Sequence, residues 1–248
     1  MKPGIVFLHG IGGCGDTWQA QIEHFGGRFN VLAWSAPGFG GKPALDDLNF
    51  ANLASKLAED MRAAGIATAM IFGHSFGGMV AQQFVKDFSD MVSALVLVGT
   101  SPAFGNPAGD FQRQFVADRT RPLDEGKSMA ELAAAAIPNL LGPDAIPAAA
   151  AIATSAMAKV PEQTYRDVVQ LLTTFDLREN LANITAPALL VAGEMDRLSP
   201  PAMMEKMASY IPGAGFEMLP GIGHMTQIED PVRFNALIDK FIGETSDG

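Results

Sequence analysis

The 248-residue sequence contains one cysteine, Cys14, so it cannot form an internal disulfide framework. Basic residues are few: 17 Lys and Arg stand against 27 Asp and Glu, for a formal net charge of -10, and no cluster of Lys and Arg occurs. An acidic chain of this kind is a poor partner for nucleic acids and for anionic membranes. We therefore expect a small-molecule substrate, and neither a nucleic-acid nor a membrane partner.

Long apolar runs are also missing, and none approaches the length that spans a bilayer. The first residues lead directly into an apolar strand pattern without the basic start of a secretory signal, which predicts a cytoplasmic protein. The sequence has no HExxH motif, no clustered His and Cys ligands and no GxxxxGK[ST] phosphate loop. We therefore predict neither a cofactor nor a metal. Nothing in the sequence indicates an oligomeric state.

Residues 71–80 read IFGHSFGGMV and hold the most informative pattern in the chain. A short apolar strand pattern leads to Ser75, and apolar residues at helical spacing follow it. A serine at so sharp a turn has a strained backbone, and Gly73 and Gly77 leave room beside it. The N–H groups of a helix that begins at Phe76 would face negative charge developing on an attacked carbonyl oxygen. The alternative, a structural turn whose serine only caps the helix, is less favoured in this context.

This strand–turn–helix pattern resembles the nucleophile elbow of the α/β-hydrolase superfamily. The resemblance extends over nearly the whole chain, and the loops are most similar to those of small cofactor-free esterases and 3-oxoadipate enol-lactonase-like hydrolases. It implies an α/β fold with a mostly parallel sheet of about six strands, helices on both faces and an inserted helical cap. It also implies a Ser-His-Asp triad in which Ser75 is the nucleophile.

A second glycine pattern, GxGxxG, is formed by residues 10–15 after the first predicted strand. In dinucleotide-binding folds an acidic residue about 20 positions further on binds the ribose. Here the next predicted strand ends in Ser35, so an oxidoreductase is the less favoured interpretation. Together with His9, the same glycines resemble the oxyanion loop of α/β-hydrolases. This resemblance assigns the oxyanion-binding backbone N–H groups to Ile11 and Phe76.

Ser35 also stands where the family usually carries Asp, which puts the bracing of the neighbouring loops in question. We predict that Asp16 caps a helix ending at Phe25. Residues 50–64 have the pattern of an amphipathic helix closed by Gly65.

Between residues 101 and 186 the strand patterns give way to helix-length pieces. The prolines that separate these pieces are at positions 102, 107, 122, 138, 143, 147 and 161. We therefore predict a core built from residues 1–100 and 187–248, with residues 101–186 as a helical cap. Nine bulky residues of the cap are candidates for lining a pocket, and we expect only a few of them to do so: Phe104, Phe111, Phe115, Leu140, Leu141, Met157, Leu171, Leu172 and Phe175.

The cap also carries arginines that could bind an anionic substrate. They are Arg113, Arg119, Arg121, Arg166 and Arg178. We expect these to be solvated surface charges, because that is the common position of an arginine.

Asp196 and His224 are the candidate partners of Ser75. Each follows a predicted strand, and the order Ser, Asp, His along the chain matches the family resemblance. Taken alone, Asp196 would be a loop carboxylate or a helix cap, and Glu194 is the nearest alternative acid.

The other histidines are weaker candidates for the base. His9 and His74 lie inside glycine motifs, where we expect them to shape turns. His24 lies on a helix face that we expect to be exposed.

The expected function is that of a serine hydrolase that cleaves a small or medium carboxylic ester or lactone through an acyl-enzyme. A cap rich in Phe, Leu and Met favours neutral substrates. One alternative is a carbon–carbon bond hydrolase or enol-lactonase acting on a carboxylated substrate. Another is a non-catalytic ligand receptor on the same scaffold.

Overall fold

The computed structural model describes residues 2–106 and 108–246, so that Met1, Pro107 and residues 247–248 lie outside the described residues. A six-stranded sheet forms its centre, with the strand order β2-β1-β3-β4-β5-β6 and every neighbouring pair parallel. The strands are β1 (Gly4–Leu8), β2 (Asn30–Trp34), β3 (Ala69–His74), β4 (Val92–Val98), β5 (Ala188–Gly193) and β6 (Gly215–Leu219). The predicted parallel sheet is confirmed. Its order differs from the 3-2-1-4-5-6 order of dinucleotide-binding folds.

The central strands are apolar along almost their whole length because both faces of the sheet are covered. β1, β3 and β5 are buried at every residue, whereas the edge strands β2 and β6 are partly exposed. Successive side chains of a strand point to opposite faces. Val6 and Leu8 accordingly belong to one hydrophobic core, and Ile5 and Phe7 belong to the other.

Helices cover both faces of the sheet, as predicted. They are α1 (Gln19–Phe25), α2 (Phe50–Ala63), α3 (Phe76–Asp87), α4 (Asp110–Asp124), α5 (Met129–Ala136), α6 (Ala149–Ala158), α7 (Glu162–Leu172), α8 (Pro201–Ala208), α9 (Thr226–Glu229) and α10 (Pro231–Ser246). α2, α3 and α8 pack on one face, and α1 and α10 pack on the other. Among the described residues no helix is both long and apolar enough to cross a bilayer.

The segment between β4 and β5 contains α4 to α7 and is called the helical insert (residues 101–186) below. Within its described part, the β pairing is limited to an isolated bridge between Ala103 and Asp176. Pro122 lies inside α4 near its end instead of separating two helices, which corrects the prediction for that proline. The proline removes one N–H donor there, and the helix ends shortly afterwards.

The chain after β1 is tighter than predicted. A 3₁₀ turn, Gly15–Trp18, precedes α1, and Asp16 lies inside that turn and does not cap the helix. Gly15 packs so closely on β2 that an added Cβ would lie 2.5 Å from the carbonyl oxygen of Ala33. This close contact leaves no room for a side chain at position 15. The amphipathic helix predicted over residues 50–64 is α2.

Candidate active site

Ser75 joins β3 to α3 in a backbone conformation with φ 53° and ψ -115°. Among the described residues it is the only non-glycine with a positive φ. A residue in such a conformation carries strain of about 1–3 kcal/mol and persists only when its surroundings hold it. Here the N–H of Ser75 donates to Val98 O at 2.9 Å, and its carbonyl accepts the hydroxyl of Thr100 at 2.8 Å. The hydroxyl of Ser75 faces a cavity.

The glycines beside Ser75 allow the close contacts of this turn. A Cβ on Gly73 would lie 2.5 Å from the carbonyl oxygen of Gly77, and a Cβ on Gly77 would lie 2.4 Å from that of Leu8. Both positions therefore exclude any side chain, which confirms the predicted requirement for residues without bulk.

Asp196 and His224 lie side by side on the loops that follow β5 and β6. His224 Nδ1 is 2.8 Å from Asp196 Oδ2, and both side chains are buried. Asp196 Oδ1 accepts the backbone N–H groups of Leu198 and Ser199 at 2.8 and 3.0 Å. Burial opposes ionisation of Asp196, but the hydrogen bonds from His224 and the backbone outweigh it and hold the pKa of the carboxyl below its ordinary value. An ionised Asp196 fixes the proton of a neutral imidazole on Nδ1, which leaves Nε2 as an acceptor.

His9 and His74 shape their turns, as predicted. His9 Nε2 accepts the N–H of Ala36 at 3.0 Å, and its Nδ1 donates to Gly10 O at 2.8 Å. His74 Nε2 donates to the backbone oxygen of His224 at 3.0 Å. Burial lowers the pKa of His9 to about 4, and burial together with the neighbouring charge of His224 lowers that of His74 to about 3. Both imidazoles are therefore neutral at pH 7.

The remaining polar candidates have structural contacts of their own. His24 is exposed and lies 2.7 Å from Asp239. Glu194 is exposed and accepts the N–H of Gly221 at 2.9 Å, away from His224. The hydroxyl of Ser35 accepts the N–H of Gly15 at 3.0 Å, so a neutral side chain braces the loop where the family usually has a carboxylate.

Ser75 and His224 line the same cavity, which has a volume of about 550 Å³ and lies between the sheet and the helical insert. Ile11 also lines it. The backbone N–H groups of Ile11 and Phe76 have no hydrogen-bond partner in the described part of the chain. Asp196 lies behind His224 and does not reach the cavity surface.

The cavity wall is mostly apolar, and about half of the residues that line it come from the insert. Only a few of the nine bulky candidates were expected to line it, and this expectation is corrected. Six of them do so: Phe104, Phe111, Phe115, Leu140, Met157 and Leu172.

The residues that the structure describes contain no group of three or more His, Cys, Asp and Glu side chains arranged to hold a metal ion. The GxGxxG glycines belong to the loop that carries Ile11 and to the contact with β2. That no cofactor takes part stays a prediction.

A parallel sheet with a strained serine after β3 and a buried Asp–His pair after β5 and β6 is typical of one class of proteins, the α/β hydrolases. The model of the alpha/beta hydrolase fold family matches residues 3–231. The chain belongs to this family.

Two sequence relatives illustrate the range of the family. The chain is 30% identical to the dihydrolipoyllysine-residue acetyltransferase component of the acetoin cleaving system of Cupriavidus necator, over 96% of this chain and 63% of that protein. It thus spans less than two thirds of that relative. It is 26% identical to the pimeloyl-[acyl-carrier protein] methyl ester esterase of Vibrio vulnificus, over 98% of this chain and 95% of the esterase.

Among solved structures, the enol-lactonase of Burkholderia xenovorans superposes with a TM-score of 0.87 at 24% identity, covering 98% of this chain and 92% of that chain. This likeness shows a shared fold.

Proposed function

We propose that the protein is a serine hydrolase that cleaves a small or medium carboxylic ester or lactone through an acyl-enzyme on Ser75. The observation that carries the proposal is the 2.8 Å bond between Asp196 and His224 beside the cavity that the strained Ser75 faces. The similarity along almost the full length of an esterase supports the reaction class. Residues 101–186 would act as a cap on a core formed by residues 1–100 and 187–248.

In the proposed mechanism, His224 Nε2 removes the proton of Ser75 Oγ as that oxygen attacks the carbonyl carbon of the substrate. Asp196 stabilises the imidazolium that forms and keeps the ring in the tautomer with Nδ1 protonated. The negative oxygen of the tetrahedral intermediate accepts hydrogen bonds from the backbone N–H groups of Ile11 and Phe76. Both donors lack a partner within the described chain, which supports this role.

The intermediate then collapses, the bond to the alcohol oxygen breaks, and the imidazolium returns its proton to that oxygen. In a lactone the alcohol stays attached to the acyl chain. A water molecule, deprotonated by His224, attacks the acyl-enzyme through the same steps and releases the acid and the free Ser75.

The test is labelling of the protein with an organofluorophosphate, followed by location of the adduct by mass spectrometry. We expect the adduct on Ser75, together with hydrolysis of p-nitrophenyl acetate that the label abolishes. Ser75→Ala should keep the fold and lower turnover by about 10⁴-fold or more, because the members of a triad act as a unit. Retained turnover in a folded Ser75→Ala protein would remove the covalent mechanism. A protein that neither labels nor hydrolyses esters would instead fit a ligand receptor.

A further inference from the structure

The arginines of the helical insert differ in their ionic partners. Arg119 has no carboxylate within ion-pair distance in the described part of the chain, although its sequence neighbour is Asp118. The other four all have one: Arg113 pairs with Asp110, Arg121 with Asp118, Arg166 with Asp124 and Glu162, and Arg178 with Asp176. The expectation that all five are solvated surface charges is therefore corrected for Arg119.

Arg119 lies on α4 and lines the same cavity as Ser75 and His224. Its Cζ atom lies 3.5 Å from the centroid of the Phe115 ring, so the guanidinium packs against an aromatic face. Its side chain is partly buried, and this burial lowers the pKa of the guanidinium from its ordinary value, although the group stays charged at pH 7. Packing on a ring holds the planar group in place while the N–H groups at its edge stay available to a ligand.

Tyr165, on α7, lines the cavity as well and is only 4% exposed. Its hydroxyl has no hydrogen-bond partner among the described residues and is not one of the fully buried polar atoms, so it is open to the cavity and able to donate to a ligand. Burial raises the pKa of Tyr165, while the positive charge of Arg119 acts in the opposite direction. The hydroxyl is therefore a protonated donor that lines the same cavity as the guanidinium.

The other charged groups of the cavity define what could bind between these two donors. Asp118 is exposed and pairs with Arg121 at 3.5 Å, which reduces its repulsion of an anion. Arg197 is also on the cavity wall, but it is exposed and belongs to the loop after β5, outside the helical insert. One partly buried guanidinium and one hydroxyl in a mostly apolar wall suit a single negative charge shared by two oxygens. A phosphate dianion would require a second buried cation.

We propose that Arg119 and Tyr165 form a carboxylate-binding subsite, so that the preferred substrates are esters or lactones whose acyl part carries a carboxylate. This inference rests on the proposed function, which supplies the reaction at Ser75. It replaces the neutral-ester preference expected from the composition of the insert.

The experiment compares esters of matched chain length. Monomethyl succinate, glutarate and adipate are compared with methyl butanoate, pentanoate and hexanoate, with acid release followed in a pH-stat. We expect the wild-type protein to have a higher kcat/KM for one or more of the carboxylated esters than for their neutral counterparts. The chain length with the largest ratio reports the separation between Ser75 and the subsite.

Substitutions then locate the anion site. Arg119→Met keeps an unbranched stem over Phe115 and should lower the ratio of carboxylated to neutral kcat/KM by about 10- to 100-fold, the range of a lost charge-assisted hydrogen bond. Tyr165→Phe should lower it by about 3- to 10-fold, as for a neutral donor. Arg113→Met is the matched control, because it removes the same charge from the same helix at an exposed position whose ionic partner, Asp110, does not line the cavity, and it should leave the ratio unchanged.

Binding measurements separate this proposal from the proposed function. Calorimetry of the Ser75→Ala protein should detect monomethyl glutarate but not methyl pentanoate, and adding Arg119→Met should abolish monomethyl glutarate binding. If no ester is hydrolysed but monomethyl glutarate binds through Arg119, the subsite stands and the hydrolase proposal fails. The subsite is overturned if neutral esters are preferred, if Arg119→Met affects both series equally, if Arg197→Met causes the loss instead, or if monomethyl glutarate does not bind.

Discussion

Glu229 Oε2 accepts the backbone N–H of Gly142 at 2.7 Å and so connects the helical insert to the loop that carries His224. The same oxygen accepts the N–H of Gly223 at 2.8 Å, and Oε1 accepts that of Met225 at 2.8 Å. Glu229 is fully buried. One carboxylate therefore holds the backbone immediately before and after His224.

Further backbone bonds join the same two segments. His224 N donates to Leu140 O at 2.7 Å, and Ile146 N donates to Glu229 O at 2.8 Å. Because the insert also forms about half of the cavity wall, these bonds tie the position of the imidazole to that part of the wall. Glu229 is thus a positioning residue for His224.

We expect Glu229→Gln to lower both stability and kcat. The amide has only one oxygen for three donors, and its NH₂ group would face a backbone N–H, so the loss of unfolding free energy should be about 3 kcal/mol. The kcat should fall more than KM rises, because His224 shifts relative to Ser75. Denaturant unfolding and steady-state kinetics measure the two effects. The control is Glu194→Gln, since the exposed Glu194 can still accept the N–H of Gly221 as an amide. An unchanged kcat in folded Glu229→Gln would contradict the positioning role.

Asp196→Asn should lower kcat by about 10⁴-fold, because the amide favours the wrong tautomer of His224. Its NH₂ group can donate to Nδ1, which moves the imidazole proton to Nε2 and removes the acceptor for Ser75. Glu194→Gln should change kcat little, which makes it the control for loss of a carboxylate in the same loop. If the two variants gave the reverse result, Glu194 would be the acid of the site.

Acid should destabilise the protein through His9 and His74. In the unfolded chain these imidazoles bind protons near pH 6.5, whereas in the folded protein their pKa values are about 4 and 3. At pH values between the unfolded-state pKa and the folded-state pKa, the unfolded state binds more protons than the folded state. The free energy of unfolding therefore falls as the pH falls. From pH 7.5 to pH 5 each histidine should lower the free energy of unfolding by an amount on the order of 2 kcal/mol.

Urea unfolding at several pH values tests this dependence. His9→Asn removes one titrating group and should make the decrease between pH 7.5 and pH 5 smaller by the amount assigned to that histidine. An identical slope in His9→Asn and wild type would show that His9 is not buried in its neutral form.

The parts of this molecule that the sequence predicts well depend on local patterns. Ser75 is recognisable because a strand, two glycines and a helix surround it within ten residues. The role of Ser35 was less predictable. It stands where the family usually has a carboxylate, and its hydroxyl accepts a hydrogen bond from the N–H of Gly15. That contact depends on the approach of two loops and has no local signal.

The features that the sequence could not predict depend on contacts between residues far apart in the chain. Glu229 and Gly142 are 87 residues apart, and nothing near either residue indicates their bond. Arg119 looks like Arg113 and Arg121 in the sequence, since all three lie near acidic residues on one helix. Only the packing of α4 over the cavity separates Arg119 from the paired arginines. The catalytic roles of Ser75 and His224 stay predictions.

Gly99, at the end of β4, lies directly beside the Asp196–His224 pair. Its φ is +50°, and an added Cβ would be 3.1 Å from His224 O and 3.3 Å from both Asp196 Oδ2 and His224 Nδ1. These distances are shorter than ordinary van der Waals contact, so the pair would have to shift. Gly65 offers a matched control, because its φ is +71° and nothing lies within 4 Å of its added Cβ.

We expect Gly99→Ala and Gly65→Ala to carry a similar backbone strain of about 1–2 kcal/mol, because both place an L-residue in the left-handed region. Gly99→Ala should in addition lower kcat by about 10-fold, since displacements below 1 Å at reacting groups are enough for such losses. Gly65→Ala should leave kcat unchanged. Thermal unfolding and ester hydrolysis measured on both variants separate the two effects. Equal kcat values in the two variants would mean that Asp196 and His224 tolerate displacement, and that the close contact at Gly99 affects stability alone.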